Sequence, residues 1–346
     1  MRLPSACTTA PTLRSPGRRW HAVTALAGLS LTMIASGCSL SGSSAATAAA
    51  NDTTVTVAVV PGIDNATLEL AQKDGLFTNA GIKVKIDAYA TVSKEISALS
   101  SGTVDVAAGD YGDLFFAQAT APRPIYQIIA DGYDAVPGVI EIMTLPGSRI
   151  KSPAQLAGQR IAAPAIGRVG TPTDAPDSLD IATATSVLQS FGVNLSVVHW
   201  ENMTPAAELR ALGQGHVPAI LATEPYIYLA QRELGAVELV DACSGATAGI
   251  PLSGYFTTTS WARDNASSLA AFQAGLKQAA ADASMPGPVQ TVLRGYAGLT
   301  QQEAALVTVG TYPISTIAAS LQRTADLMNT EGMIRYRLNV AAMIVR

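Results

Sequence analysis

The run Val55 to Val60, with Val55, Val57, Val59 and Val60 apolar and β-branched, has the length and composition of a buried strand. Pro61 and Gly62 end it. Asp64 or Asn65 can then cap a helix, and Ala66 to Asp74 continues in good helix formers to Gly75, a natural C′ residue. A strand, a polar turn and a helix in that order direct the free N–H groups of the helix start out of the carboxyl end of a sheet. Open α/β folds bind ligands there.

The pattern recurs. Ile82, Val84, Ile86 and Ala88 alternate with polar residues, and Val92, Ile96 and Leu99 fall at helical spacing before Gly102. Val104 to Ala108 is the next predicted strand, followed by the polar turn Gly109 to Asp113 and a helix through Phe116 and Ala119. Ile125 to Ile129 and Gly138 to Met143 complete the set. Near Pro146 the architecture restarts. Ser152-Pro153 opens a short helix closing at Gly158, Arg160 to Ala163 is a strand, and Pro164 to Ser178 is a Gly/Pro/Asp-rich loop. A helix over Leu179 to Phe191, a strand over Leu195 to Trp200, a helix over Pro205 to Leu212 and a strand over Val217 to Ala222 follow. A helix through Tyr228 and Leu234 and a strand over Val237 to Val240 close this part. Alternating β and α predicts an α/β fold with mainly parallel sheets covered on both faces.

An internal repeat divides the chain in two. Leu99-x-x-Gly102-x-Val104, an apolar strand and Gly109-Asp110-Tyr111 are echoed by Leu212-x-x-Gly215-x-Val217, another strand and Thr223-Glu224-Pro225. Two such units facing each other present acidic turns to a shared cleft. After the strand Gly254 to Thr258 the chain is predicted helical over Asn265 to Ser284, Pro288 to Ala297, Thr300 (a capping box with Glu303) to Gly310, and Ile314 to Asn329. The expected organisation is a first lobe of residues 53–145 and 251–346, wrapped by these helices, and a second of 146–250. Two crossovers, near Thr144 to Pro146 and Gly249 to Gly254, would form the hinge.

Composition adds the compartment and excludes one partner class. An arginine-bearing start, the 13-residue apolar run Ala22 to Ile34 and the small residues before Cys38 have the layout of a signal peptide over residues 1–37, too short to span a bilayer. Ala35-Ser36-Gly37-Cys38 resembles the bacterial lipobox, although Ala35 stands where leucine is usual, and ordinary cleavage nearby is the alternative. Residues 38–52 are small and polar, a tether between a lipidated Cys38 and the folded body. Arg2, Arg14, Arg18 and Arg19 precede Cys38 without an acid, so 22 less 4 leaves 18 basic against 26 acidic residues, a net charge of −8. No basic stripe exists to neutralise phosphates, which excludes nucleic acid.

Catalytic and metal-binding patterns are absent from the sequence. His199 and His216 have no carboxylate or cysteine at ligand spacing, no P-loop or G-x-S-x-G occurs, and Cys243 is left single once Cys7 and Cys38 are set aside. No cofactor, metal site or disulfide is expected.

A family resemblance rests on residues spread over 54–343: Asp64-Asn65-Ala66 with Leu70 to Phe77, Gly81 to Val84, Leu99-x-x-Gly102-x-Val104-Asp105-Val106-Ala107, Ser152 to Ile161, Glu224-Pro225, and Leu327-Met328-x-x-Glu331-Gly332-Met333. Together they resemble the nitrate/sulfonate/taurine and thiamine-pyrimidine-precursor group of periplasmic solute-binding proteins of ABC importers. Pro218, where the second lobe usually has aspartate, is a departure that bears on the local strand start. The resemblance implies a two-lobe type II periplasmic-binding-protein-like fold and capture of a small solute for a permease and ATPase. It also implies an extracytoplasmic monomer held at the membrane by lipid, without catalysis. The enzyme alternative, the pyrimidine-precursor synthase branch, carries a cysteine cluster missing here. A structural lipoprotein would need no shaped cleft.

By the repeat and the resemblance, the cleft is expected to be lined by Asp64, Asn65, Asp110, Tyr111, Gly167, Arg168, Glu224, Tyr226 and Tyr255. Each has a structural alternative: Asp64, Asn65 and Glu224 as helix-start residues, the tyrosines as packing. Helix N-termini can hold a sulfonate or nitrate, with Arg168 alone compensating the acids. Acids with tyrosines suit instead an amine-bearing or aminopyrimidine-like solute.

Overall fold

The computed structural model describes residues 53–164, 178–294 and 296–345. The expected signal segment and tether with Cys38, and the loop with Gly167 and Arg168, lie outside them. Strand β1 (Thr54–Val59) follows its valines: Val55 and Val57 are fully buried while Thr54 is exposed. It is followed by α1 (Ala66–Lys73), α2 (Leu76–Asn79), β2 (Lys83–Ala88), α3 (Val92–Ser100), β3 (Val106–Asp110), α4 (Tyr111–Thr120) and β4 (Tyr126–Asp134). Gly75 sits between α1 and α2 at φ 68°, the left-handed conformation that ends the first helix. Next come β5 (Ile140–Thr144), β6 (Arg160–Ala163), α5 (Leu179–Ser190), β7 (His199–Asn202), α6 (Pro205–Gly213), β8 (Ala219–Thr223), α7 (Tyr226–Leu234) and β9 (Val237–Asp241). The chain ends with β10 (Pro251–Thr258), α8 (Thr259–Asp264), α9 (Ala266–Ala283), α10 (Pro286–Leu293), α11 (Gln301–Ala304) and α12 (Ala318–Thr330).

The strands form two five-stranded sheets of matching topology, β2-β1-β3-β10-β4 and β7-β6-β8-β5-β9. In each, four strands run in one direction and one is reversed, β10 in the first sheet and β5 in the second. The reversed strands are the two that arrive from the other sheet. The expected boundary at residue 145 assigned the strand at Ile140 to the first half. Its antiparallel pairing with β8 and β9 assigns it to the second, so the first crossover is residues 135–139. The second is residues 242–250, between β9 and β10.

The repeat has a structural counterpart. Helices α3 and α6 precede the third strand of their sheets, and Leu99 and Leu212 are both buried. Gly102 and Gly215 end the two helices at φ 73° and 70°, after which Thr103 N donates to Ala98 O and His216 N to Ala211 O, each at 2.9 Å. Pro218 does not move the strand start: β3 and β8 both begin one residue beyond Asp105 and Pro218. Where Asp105 Oδ2 accepts from Thr56 N, the Pro218 carbonyl accepts from Thr144 Oγ1.

After β10, α9 packs on α1, α2 and β4, with the Phe77 and Phe272 rings stacked 5.1 Å apart. Helix α12 contacts α4 and β10 of the first half and α5 of the second, so the wrap reaches both. The Thr300–Glu303 capping box is present, but α11 stops at Ala304 instead of reaching Gly310. The following N–H groups are used elsewhere: Thr308 N donates to Glu224, Gly310 N to Tyr133 Oη and Thr311 N to Asp134 O. Helix α12 likewise starts at Ala318 rather than Ile314, after a segment in which Thr316 Oγ1 accepts from Asp131 N.

Candidate functional site

A cavity of about 190 Å3 lies where β1, β3 and β8 end. Asp64, Asp110 and Tyr133 line it from the first half, Asp180, Thr223 and Glu224 from the second, and Ser253 and Tyr296 from the returning chain. Both sheets thus contribute the turn after a strand, the position that the repeat marks.

Each acid is held by local structure. Asp64 follows the Pro61-Gly62 turn, accepts from the Ser253 hydroxyl, and lies 3.3 Å from Asn65 Nδ2, which also donates to Val60 O at 3.0 Å. Asp110 Oδ1 accepts from Asp113 N and caps α4. Asp180 occupies the first turn of α5, capped by Ser178. Glu224 accepts from Tyr228 N at 3.1 Å and from Thr308 N at 2.9 Å, so its carboxylate links α7 to the C-terminal chain. Burial raises the Asp64 carboxyl to about 6, against the pull of the Ser253 and backbone donors. Burial, with the charges of Asp64 and Asp113, raises Asp180 to about 6 as well. Glu224 is raised by burial, opposed by its two amide donors.

Two further glutamates are buried, Glu95 on α3 and Glu208 on α6. Burial and then Asp64, Asp113 and Asp110 push Glu95 well up; burial and then Asp180 push Glu208 to about 8. At the second crossover side, burial and then Glu238, Glu224 and Asp241 push Glu141 to about 8. These folded-state values exceed those of exposed carboxyls, so between about pH 4.5 and 8 the folded chain keeps protons that the unfolded chain has released. Stability therefore falls as pH rises through that window. Thermal unfolding of the ligand-free protein is expected at a Tm roughly 5 °C lower at pH 8.5 than at pH 5.5. A Tm that climbs across this interval contradicts the account.

Of the expected site residues, Asp64, Asp110 and Glu224 line the cavity. Asn65 is buried and steers Asp64. Tyr111 does not face the cavity: fully buried, it donates its hydroxyl to Asp131 Oδ1 at 2.9 Å beneath β10. Tyr255 is likewise turned away, sharing a 2.8 Å hydrogen bond with Thr67 and packing edge-on against Phe272. Tyr226 is half-buried at the start of α7, outside the cavity lining. The apolar core takes both rings, Tyr111 stacked on Phe115 and Tyr255 against Phe272. Tyr133, Tyr296, Asp180 and Ser253 were not expected. Asp180 carried a signal, an acid in the first turn of a predicted helix directly after a long loop.

Among the described residues no lysine or arginine lines the cavity, and no three His, Cys, Asp or Glu are grouped to hold a metal ion. At the helix starts around the cavity, the Asp110 carboxylate caps α4, and Asp180 adds an acid to the first turn of α5, whose cap is the Ser178 hydroxyl; both acids oppose an anion there. The arrangement is built to accept hydrogen-bond donors and positive charge.

A family model described as NMT1/THI5 like matches residues 63–287. No curated protein sequence matches the chain. Among solved structures, the chain is similar to the periplasmic aliphatic sulphonate binding protein SsuA from Escherichia coli, with 20% identity, 85% of this chain and 92% of that one covered, and a TM-score of 0.67. The desulfurization enzyme DSZB is similar at 16% identity, 85% and 96% coverage and a TM-score of 0.64. The periplasmic nitrate-binding protein NrtA from Synechocystis PCC 6803 is similar at 14% identity, 73% and 69% coverage and a TM-score of 0.57. These likenesses establish the periplasmic-binding-protein fold.

Proposed function

The chain belongs to the NMT1/THI5-like family, and from that membership we propose that it is an extracytoplasmic solute-binding protein that captures an amine-bearing solute for an ABC import permease and ATPase. The observation that carries the ligand class is the cavity itself: four carboxylates line it, and two of them, Asp110 and Asp180, stand in the starts of α4 and α5, where a sulfonate or nitrate would seat. A protonated amine gains charge-assisted hydrogen bonds from Asp64 and Asp180, and Tyr133 and Tyr296 offer ring faces. The similarity to the sulphonate-binding SsuA and the nitrate-binding NrtA supports the importer role; sulphonate and nitrate are anions, and the acidic lining separates this chain from those proteins.

In this reading the two sheets are the cores of two lobes, residues 53–139 with 251–346 and residues 140–250, which close about the two crossovers. Native mass spectrometry of protein purified from its host tests the function directly. Release of an intact basic solute supports it; a sulfonate or nitrate overturns the ligand class.

The likeness to DSZB keeps an enzymatic reading in view, since the same fold serves catalysis in that protein. Against it, Cys243 is buried and its thiol is pushed up by burial and then by Asp241 and Asp180, so it is no thiolate nucleophile.

Among the described residues no helix is long and apolar enough to cross a membrane. We place attachment at Cys38, through lipid chains that contribute about 0.8 kcal/mol per buried CH₂. Cys38→Ala is expected to leave the protein unprocessed or released from membranes in fractionation. Unchanged membrane retention of a processed variant would contradict this.

A further inference from the structure

A second cavity, of about 200 Å3, is formed by α1, α9, the first sheet and the segment ahead of α12, and it shares no lining residue with the acidic cavity. Asp131 of β4, Gln273 and Lys277 of α9, and Thr316 line it with polar groups. The hydroxyls of Thr67 and Tyr255, already bonded to each other at 2.8 Å, also belong to its wall.

Asp131 is only 8% exposed. Its Oδ1 accepts from the Tyr111 hydroxyl at 2.9 Å and from Gly132 N at 3.1 Å. Its Oδ2 takes no hydrogen bond among the described residues and is not sealed by protein, so it opens into the cavity. Burial raises this carboxyl to about 6 against its two donors, which leaves it ionised at pH 7.5. A buried carboxylate oxygen in this position calls for a donor. Gln273 adds an acceptor beside it, because its Nε2 is committed to Ile129 O at 2.6 Å and its own carbonyl oxygen is left over. Thr316 Oγ1 accepts from Asp131 N at 3.0 Å, which leaves its proton to donate.

Lys277 follows Gln273 by four residues, on the same face of α9. It is exposed and joins no ion pair or hydrogen bond among the described residues. One cavity thus carries an anion and a cation that are not paired with each other. A simple amine satisfies Asp131 alone and a simple carboxylate satisfies Lys277 alone; a molecule bearing both charges satisfies the two together. The volume corresponds to about seven waters at about 30 Å3 each, which limits the molecule to a few heavy atoms. We propose that this cavity is a second binding site and takes a small zwitterionic amino acid, its ammonium held by Asp131 and Gln273 and its carboxylate by Lys277. The site is independent of the amine reading of the acidic cavity.

Calorimetric titration at pH 7.5 of the full mature protein carrying Asp64→Asn, which disables the acidic cavity, tests the proposal with glycine, β-alanine, 4-aminobutanoate, n-butylamine and butanoate. At least one amino acid is expected to bind saturably, and at least tenfold more tightly than butylamine or butanoate. Adding Lys277→Gln, an exposed position, or Asp131→Asn, which keeps an acceptor for Tyr111, is expected to weaken that binding at least tenfold while circular dichroism stays unchanged. Saturable binding of none of the amino acids, butylamine or butanoate binding as tightly, or affinity unchanged by both added variants overturns the second site. Each of those results leaves the amine reading of the acidic cavity standing, because that cavity is disabled throughout.

Discussion

Gly254→Ala is expected to lower stability by about 3–5 kcal/mol, enough to remove most soluble protein or to reduce Tm by roughly 10 °C. Gly254 lies in the buried strand β10, and an alanine methyl there would overlap the Tyr111 phenol, with Cζ at 2.6 Å and the Ala130 carbonyl at 3.0 Å. Neither neighbour can yield freely. The carbonyl belongs to paired strand β4, where Gly132 also faces Gly254 closely. Tyr111 is fixed by packing on Phe115 and by its hydrogen bond to Asp131, an 8% exposed carboxylate that would lose a donor if the ring moved. Gly147→Ala is the control, because nothing lies within 4 Å of the added methyl, and it is expected to change stability by less than about 0.5 kcal/mol. Urea unfolding of both variants decides the matter; a Gly254→Ala midpoint within error of the parent would show that β10 has room that the packing does not provide.

Asp64→Asn is expected to separate stability from binding. The Asp64 carboxyl is held at about 6 by burial, so at pH 7.5 the folded protein carries a charge that its surroundings disfavour. Asparagine fills the same volume without that charge, and its Oδ1 can still accept from Ser253. The ligand-free variant should unfold at the same Tm as the parent or higher. Affinity for an amine-bearing solute should fall by at least about a hundredfold, because a buried charge-assisted pair is removed from one partner only. Stability given up at a site in exchange for function is a general pattern in binding proteins. A variant that loses stability and keeps its affinity would assign Asp64 to capping the turn and nothing more.

Much of the architecture was legible in local pattern. The Val55–Val60 run, the helix over Asn265–Ser284 and the spacing Leu99-x-x-Gly102-x-Val104 each encode one buried face, and a buried face survives in the fold. Sheet membership of Ile140–Thr144 was not legible, since an apolar strand reads the same whichever sheet it joins. Nor was the end of α11, because the amides beyond Ala304 are taken by Glu224, Tyr133 and Asp134, partners more than 80 residues distant.

For the site, the acids after the strands were readable because a polar turn between apolar strand and helix has few other uses. The tyrosines were not, since a ring beside a turn can face either core or cleft, and the core takes Tyr111 and Tyr255. Glu95 and Glu208 were present in the repeat all along, four residues before Leu99 and Leu212. That both are buried is a property of the packed structure.

The central claim is a binding cleft selective for positive charge, and calorimetric titration at pH 7.5 tests it most directly. Purified mature protein is titrated in parallel with aminopyrimidines and aliphatic amines on one side and taurine, alkanesulfonates and nitrate on the other. The account predicts saturable binding of a basic solute that weakens as pH is lowered toward 5, where Asp64 and Asp180 take up protons, and no measurable binding of the anions. Tight binding of a sulfonate or nitrate, undiminished by Asp64→Asn, would contradict it.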